Sequence, residues 1–489
     1  MIDLILPTLA PANLCLIVIG VMWGLVFGMI PGLTATLAVV VLIPLTYGMN
    51  SVWGISMLIG IYVGGVSGGL ISAVLIGMPG TPSSIVTCFD GFPMAKKGLG
   101  EKALGIGITA NMVGTLFGWF FLITLAPEIA RFALRFGPFE MVAVILFGLT
   151  AVIGLSGDSM IKGLIMTMFG LLVSTIGLDP TYAMPRNTFG TEFLMSGISA
   201  VPAMIGLFVI SQVFIEAENL SVKFIVPKPE RVERTFTMQE FKESIPNFIR
   251  SGFTGLLIGI LPGIGGALSN LVAYDQAKKA SKHPETFGTG NIQGIIAPET
   301  ANNAAIGGAL IPMLSLGIPG DAVTAVLLGG LMLHGLAPGP LLIRENPEIV
   351  YGVFSSLFLA TLAMYFIMMG GRRIFPTLLH IQKSYLLPIV LAAGIVGCYN
   401  LQYSLSDVWI SIIFGIIGFF LIKHKFPLTP IVITLVLGQM LEENLRLGLL
   451  TSNSSILPLF TRPISLVFVL ASAASVFLPL IKRMRMKTE

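Results

Sequence analysis

Gly255-Leu-Leu-Ile-Gly259-Ile-Leu-Pro262-Gly263-Ile-Gly265-Gly266 decides how the rest of this chain reads. Proline removes a backbone donor and clashes with the preceding turn, while glycine admits the dihedrals that follow, so Pro262-Gly263 is expected to end one half-helix and open another. The same kind of break is expected further on, at Pro298-Glu299-Thr300-Ala-Asn302-Asn303-Ala-Ala-Ile-Gly307-Gly308 and at Leu316-Gly317-Ile-Pro319-Gly320-Asp321. Backbone opened within apolar sequence survives in a bilayer only where protein buries it or where it lines a wet cavity.

The background is apolar throughout. Of 489 residues 55% are hydrophobic and 11% charged, against about 25% charged in a soluble domain, and the mean hydropathy is +0.91. Runs near the roughly 20 residues of a membrane helix recur, without the alternation of an outer-membrane barrel. An all-α polytopic membrane protein is expected. The net charge of +4 comes from basic residues scattered in loops, where membrane orientation accounts for them without nucleic acid. Cys15, Cys88 and Cys398 match no metal or disulfide spacing. The first Lys or Arg is Lys96, so no cleavable signal peptide is expected. No phosphate-binding Gly-x4-Gly-Lys-Ser/Thr is present, which excludes the primary pumps.

The opening pattern occurs twice. Gly24-Leu-Val-Phe-Gly28-Met-Ile-Pro31-Gly32 matches Gly255 to Gly263 position by position, and Ile76-Gly77-Met78-Pro79-Gly80-Thr81 matches Leu316 to Asp321 in the same order. A Gly-x3-Gly alone in apolar sequence is usually only a helix-packing face; two matches in register point to a duplicated transporter unit. Basic residues from Lys223 to Arg250 and from Lys482 to Lys487 place the central linker and the C-terminus in the cytoplasm. Lys278, Lys279 and Lys282 fit that register if the segment before them is a re-entrant hairpin, and the charges of the first half are reversed. The expected layout is about eleven crossings plus two re-entrant hairpins in two inverted-topology repeats: residues 1–216, a linker 217–250, residues 251–440, and an extra helix and basic tail at 441–489. Arg131 and Arg135 are exceptions to the charge rule.

An anionic substrate is expected at the half-helix N-termini behind Pro31-Gly32, Pro79-Gly80, Pro262-Gly263 with Gly265 and Gly266, and Pro319-Gly320, where free amides and helix dipoles attract carboxylate oxygens. Thr34, Thr36, Thr81, Ser83, Ser84 and Ser269 offer hydroxyls beside them, with Asn302 and Asn303, and no Lys or Arg intervenes. Each hydroxyl has the alternative of bonding its own helix backbone. Glu299, three residues before Asn302 and so on one helical face, is the expected cation-coupling carboxylate; the alternative is a solvated residue at the cytoplasmic mouth. Asp321 reads equally as an N-cap or as a second coupling carboxylate. His334 is the one histidine outside the basic loops.

The doubled Gly-x3-Gly-x2-Pro-Gly, Ala297-Pro298-Glu299-Thr300-Ala301-Asn302-Asn303-Ala304-Ala305 with Gly307-Gly308, Leu316-Gly317-Ile318-Pro319-Gly320, and His334-Gly335-Leu-Ala-Pro338-Gly339-Pro340 together resemble the large membrane subunit of the tripartite tricarboxylate transporters. The resemblance runs essentially end to end. It implies a multi-pass permease of the bacterial inner membrane, working with a small four-helix membrane subunit and a periplasmic solute-binding protein. It also implies import of a small di- or tricarboxylate with co-transported Na+ or H+, and no other cofactor. The alternatives are a self-sufficient cation-coupled transporter for another solute and, more weakly, a membrane enzyme, for which no Gly-x-Ser-x-Gly or His-Glu-x2-His is present.

Overall fold

Helix breaks and small-residue faces dictate the architecture. In the computed structural model, which describes residues 2–154, 160–179, 182–218, 236–263, 265–379 and 382–488, the first half runs α1 (Pro11–Met29), α2 (Ala35–Thr46), α3 (Ser51–Leu75), the short α4 (Cys88–Met94), α5 (Gly100–Ala133), α6 (Pro138–Gly154), α7 (Met160–Ser174) and α8 (Ala200–Ala217). The second half runs α9 (Met238–Ile260), α10 (Gly265–Ala280), α11 (Gln293–Leu316), α12 (Ala322–Leu333), α13 (Pro347–Gly371), α14 (Lys383–Gln402), α15 (Leu405–Lys423) and α16 (Thr429–Thr451), and α17 (Pro463–Thr488) follows. Among the described residues the one strand pairing is Gly177–Leu178 against Pro185–Arg186, and seven helical spans are long and apolar enough to cross a membrane. The chain is an all-α, multi-pass membrane protein.

The duplication read from sequence is visible in the order and packing of these elements. α1, α2, α3, α5 correspond to α9, α10, α11, α13, and α2 and α10 are each set off by a Pro-Gly turn. Gly32 has φ +94° and Gly263 φ +80°, left-handed values that glycine adopts without the Cβ penalty. α3 and α11 end in the same way, at Gly77 (φ +68°) and Gly317 (φ +74°), just before their prolines. α1 lies on α3 and α9 on α11 through the Gly-x3-Gly faces: a methyl added at Gly24 would lie 2.3 Å from Ile61 O, and one at Gly255 2.1 Å from Ala301 O. Those glycines therefore serve close backbone packing, and the Pro-Gly pairs supply the breaks. The two halves also exchange partners: α2 packs on α12, and α10 packs on the turn Pro82–Ser84 that follows α3.

α3 and α11 sit at the centre. Every residue of α11 from Gly294 to Ser315 is buried, as expected of a helix without a polar face. Gly114 and Gly118 of α5 press on Thr300 O and Ala304 O from one side, and Gly255 and Gly259 on Ala301 O and Ala305 O from the other.

Three expectations are corrected. Pro298 does not break its helix: α11 runs through it, and through Pro312, packed between α5 and α9. α9 begins at Met238, well inside the stretch expected as linker, because Thr237 and Glu240 form a capping box there. The linker's Lys223, Lys228, Arg231 and Arg234 lie outside the described residues. Finally, Pro79-Gly80 opens no half-helix. The three-residue 3-10 turn Pro82–Ser84 follows, and helix resumes only at Cys88; Thr81 Oγ1 pairs with Ser83 Oγ at 3.1 Å, a local alternative to capping a helix.

Candidate functional site

The N-terminal turns of three helices open on one cavity. Thr34, Ala35 and Thr36 at the start of α2, Gly265, Gly266 and Ala267 at the start of α10, and Asp321, Ala322 and Val323 at the start of α12 line a space of about 250 Å³. Thr81, Pro82 and Ser83 close it from the turn after α3, with Tyr62 and Val66 of α3, Asn302, Ala305 and Ile306 of α11, Gly263, and Thr429 of α16. The exchange of partners between halves brings these turns together, and the Gly263 N to Gly320 O hydrogen bond of 2.8 Å ties one break to another.

The first N–H groups of each helix have no intrahelical partner. Thr34 Oγ1 accepts from Leu37 N at 3.1 Å and Asp321 Oδ1 from Thr324 N at 2.7 Å, so these caps engage the third amide, and the residues that carry the earlier ones, Ala35, Thr36, Ala322 and Val323, line the cavity. Helix dipoles add about half a positive charge at each N-terminus. Asn302, 3% exposed, has an Nδ2 without a hydrogen-bond partner while its side chain lines the cavity. No Lys, Arg or His is among the lining residues, and Asp321 is the only carboxylate. Asp321 is an N-cap: Thr324 Oγ1 donates to Oδ1 at 2.7 Å, and Tyr62 donates to Oδ2 at 2.5 Å.

Several predicted residues support the cavity without lining it. Gly32 packs against the Glu216 carboxylate, where a Cβ would lie 2.0 Å from it, and its carbonyl accepts from Gln212 Nε2 at 2.7 Å; Pro31 sits in the same turn. Gly80 is wedged on Gly28 O and Gly320 on Gly259 O, each held there by the preceding Pro79 or Pro319. Ser84 and Ser269 bond their own backbones, at Thr81 O and Gly266 O. Pro262 forms the turn that presents Gly263. His334 contacts Thr46 Oγ1 at 3.2 Å and lines a separate cavity.

Glu299 and Asn303 belong to a second polar cluster. Glu299 is wholly buried, with neither lysine nor solvent beside it, so the alternative of a solvated mouth does not hold. Thr87 Oγ1 donates to Oε1, and the Asn111 amide lies 2.7 Å from Oε2. Asn303 Nδ2 donates to Asn111 Oδ1 at 2.8 Å and to Glu299 O at 3.1 Å, while Ser67 and Thr115 hydroxyls donate to Asn303 Oδ1 at 2.8 and 3.2 Å. Asn303, four residues on, therefore shares the cluster of Glu299, whereas Asn302 turns to the cavity; the expected pairing of Glu299 with Asn302 is corrected. Sequence reasoning missed Tyr62, Thr87 and Asn111. Asn111 carried a signal, being an amide inside the apolar run from Ala103 to Gly118, where a polar group needs a partner.

Residues 14–433 match the tripartite tricarboxylate transporter TctA family. The chain is 34% identical over 482 residues, 98% of its own length and 96% of the other, to an "uncharacterized 52.8 kDa protein in TAR-I ttuC' 3'region" of Agrobacterium vitis. It is 33% identical over 235 residues, 48% of this chain and 97% of the other, to an "uncharacterized protein in TAR-II ttuC' 3'region" of the same organism. No solved structure matches.

Proposed function

The chain belongs to the tripartite tricarboxylate transporter TctA family, and from that premise we propose that it is the permease subunit of a secondary transporter importing di- or tricarboxylates across the bacterial inner membrane. A Na+ or H+ gradient drives it, a periplasmic solute-binding protein delivers the substrate, and a small four-helix membrane subunit completes the complex. The two halves lie in the membrane with inverted topology, and the chain transports its substrate without altering it chemically.

The observation that carries this proposal is the cavity at which three helix N-termini and the unpartnered Asn302 amide meet without a cationic side chain. Free amides and dipoles bind a carboxylate there. Each N-terminus stabilises an anion by about 0.3–1 kcal/mol, so three supply at most about 3 kcal/mol. A sphere of about 250 Å³ has a radius of about 3.9 Å, which puts a bound carboxylate some 4–6 Å from ionised Asp321. At an effective dielectric constant near 20 the repulsion is about 3–4 kcal/mol. The opposing terms nearly cancel, so a cation or proton that neutralises Asp321 decides whether the anion binds. That linkage is the coupling assigned to Asp321, with Glu299 as the second coupling carboxylate.

Uptake of radiolabelled citrate, malate and succinate into proteoliposomes holding the permease and its small subunit, with loaded binding protein outside, tests the proposal. Asn302→Leu removes the cavity's free amide without adding charge and is expected to cut uptake at least about tenfold, for a hydrogen bond to a charged group worth about 1.5–3 kcal/mol. Full uptake by a correctly inserted Asn302→Leu protein would remove the cavity from the substrate path. Uptake without binding protein would favour the self-sufficient transporter.

A further inference from the structure

We propose that Asp407 forms a separate, outer cation site, which takes a monovalent metal ion such as Na+ ahead of the anion cavity. Its place in the transport path rests on the orientation and cation coupling proposed above; its binding chemistry rests on the residues that build it.

The site is a cavity of about 620 Å³ bounded by α7, α8, α12, α14, α15 and α16. Two of those helices join it to the anion cavity. α12 carries Ala322 and Val323 there and Gly329 and Met332 here, and α16 carries Thr429 there and Leu435 and Gln439 here. At about 1.5 Å of rise per residue, the two spaces lie about 9–15 Å apart along these helices. A cytoplasmic C-terminus makes α17 run inward and α16 outward, so the larger space is on the periplasmic side.

The charges along its wall cancel except for one. Arg186, the one cationic residue among those lining it, donates to the two Glu442 oxygens at 2.6 and 2.9 Å and to Thr175 O at 2.7 Å, and lies 3.5 Å from Asp179. Arg446 bridges Asp179 and Glu442 at 2.5 and 2.6 Å. Two guanidinium groups thus face two carboxylates, and Arg186 is directed to its own partners rather than to an anion in the cavity. Asp407 stands apart. It lines the same space at 4% exposure, makes no ion pair among the described residues, and its Oδ2 is buried without a hydrogen-bond partner.

Helix capping does not account for this carboxylate. The first turn of α15 favours an acidic residue, but its cap is Ser404, which accepts from Ser406 N at 3.1 Å. A buried carboxylate without a partner is costly and marks an ion pathway within a membrane. Its neutral neighbours supply further oxygens. Gln439 gives its amide nitrogen to Glu443 Oε1 at 3.0 Å and Ser174 its hydrogen to Leu171 O at 2.8 Å, which leaves an amide oxygen and a hydroxyl oxygen as acceptors. A hard cation takes a carboxylate together with neutral oxygens of this kind, and the space admits an ion that keeps part of its water. One unit charge about 4 Å away, at an effective dielectric constant near 20, corresponds to a dissociation constant on the order of 1 mM, weak enough to release the ion inward.

Ser196 lines the cavity and is exposed, so a cysteine there reads the local field. The test uses full-length Ser196→Cys protein in nanodiscs, freed of Cys15 and Cys88, with Cys398 left buried. Its reaction rates with a cationic and an anionic methanethiosulfonate are measured in choline chloride and with NaCl substituted at constant ionic strength, which holds screening fixed. In choline the cationic-to-anionic rate ratio is expected to be at least about threefold higher than in the same protein carrying Asp407→Asn. NaCl in the millimolar range should abolish that excess and leave Asp407→Asn unaffected. An unchanged ratio in Asp407→Asn, a Na+ effect that survives in it, or no Na+ effect in the parent each overturns the proposal, as does an excess that acid removes and NaCl does not, the mark of a proton site. The parent's NaCl arm carries the test if Asp407→Asn does not fold. Labelling does not require transport, so a Na+ effect without carboxylate uptake would refute the transport proposal alone, and uptake without a Na+ effect would refute the Asp407 site alone.

Discussion

Asp321→Asn separates capping from charge at the cavity. Asparagine caps helices as well as aspartate does, its oxygen can keep the Thr324 N bond of 2.7 Å, and its amide can donate to the Tyr62 oxygen, which now sits 2.5 Å from Oδ2. The fold is therefore expected to stay intact while the cavity loses its single formal charge. The repulsion of about 3–4 kcal/mol between ionised Asp321 and a bound carboxylate corresponds to a factor of about 10²–10³ in affinity, and water in the cavity reduces it toward about tenfold. Wild type should thus bind a carboxylate at least about tenfold more tightly with the coupling cation than without it, and Asp321→Asn should bind equally in both conditions. Thermal-shift titrations of the purified protein with citrate, malate and succinate, in NaCl against choline chloride and at two pH values, measure both ratios. Asp321→Ala is the control for capping: it loses about 1 kcal/mol of cap and strands a buried Tyr62 hydroxyl at about 1–3 kcal/mol, so it should melt lower. A folded Asp321→Asn protein whose cation dependence equals that of wild type would refute the electrostatic linkage.

Gly24→Ala and Gly255→Ala should each lower the melting temperature by a similar amount, since their methyls meet Ile61 O and Ala301 O at 2.3 and 2.1 Å and overpacking costs about 1–3 kcal/mol; Gly48→Ala, with nothing within 4 Å, is the neutral control. Glu240 at the start of α9 is held below its ordinary value of 4.5 by the Lys102 ammonium and the Thr237 amide and hydroxyl, which outweigh desolvation. Because the folded value is the depressed one, its stabilisation is present above the unfolded value and disappears as pH falls through the folded one. Melts of wild type and Glu240→Gln should therefore differ by at most about 1 kcal/mol at neutral pH and converge in acid. Single cysteines placed in residues 217–250 of a protein freed of Cys15, Cys88 and Cys398 should react with a membrane-impermeant reagent only from the cytoplasmic side, and labelling from outside would overturn the orientation.

The breaks at Gly32, Gly77, Gly263 and Gly317 were legible because proline and glycine act on their own backbone, whatever the chain folds against. Pro298 was misread because α11 runs through it while packed between α5 and α9, neighbours distant in sequence. The two destinations of Asn302 and Asn303 differ by one residue, about 100° around the helix, and only the packing of α5 and α3 on α11 decides which of them meets Glu299. The four Pro-Gly pairs pointed to the cavity, yet they form its turns, and the residues just after them form its wall.

The duplication offers one more argument about Asp321. Thr81 and Asp321 occupy equivalent places after Gly80 and Gly320, and each exchanges hydrogen bonds with a hydroxyl three residues on. Ser84 Oγ donates to Thr81 O at 2.9 Å and accepts from Thr81 N; Thr324 Oγ1 accepts from Asp321 N at 2.9 Å and shares its one hydrogen between Asp321 Oδ1 at 2.7 Å and Asp321 O at 3.0 Å. The backbone that follows differs, a three-residue 3-10 turn after Thr81 and the helix α12 after Asp321, whose carboxylate also accepts from Thr324 N; asparagine would cap that helix as well, so the cap does not require the charge. Under the proposed function, a charge placed where it opposes the anion that three helix dipoles attract has a cost in affinity, and asparagine would have avoided it. What the charge supplies under that function is a condition on binding: the cavity would hold a carboxylate firmly only when a cation arrives with it, which is what a gradient-driven importer needs from its empty site.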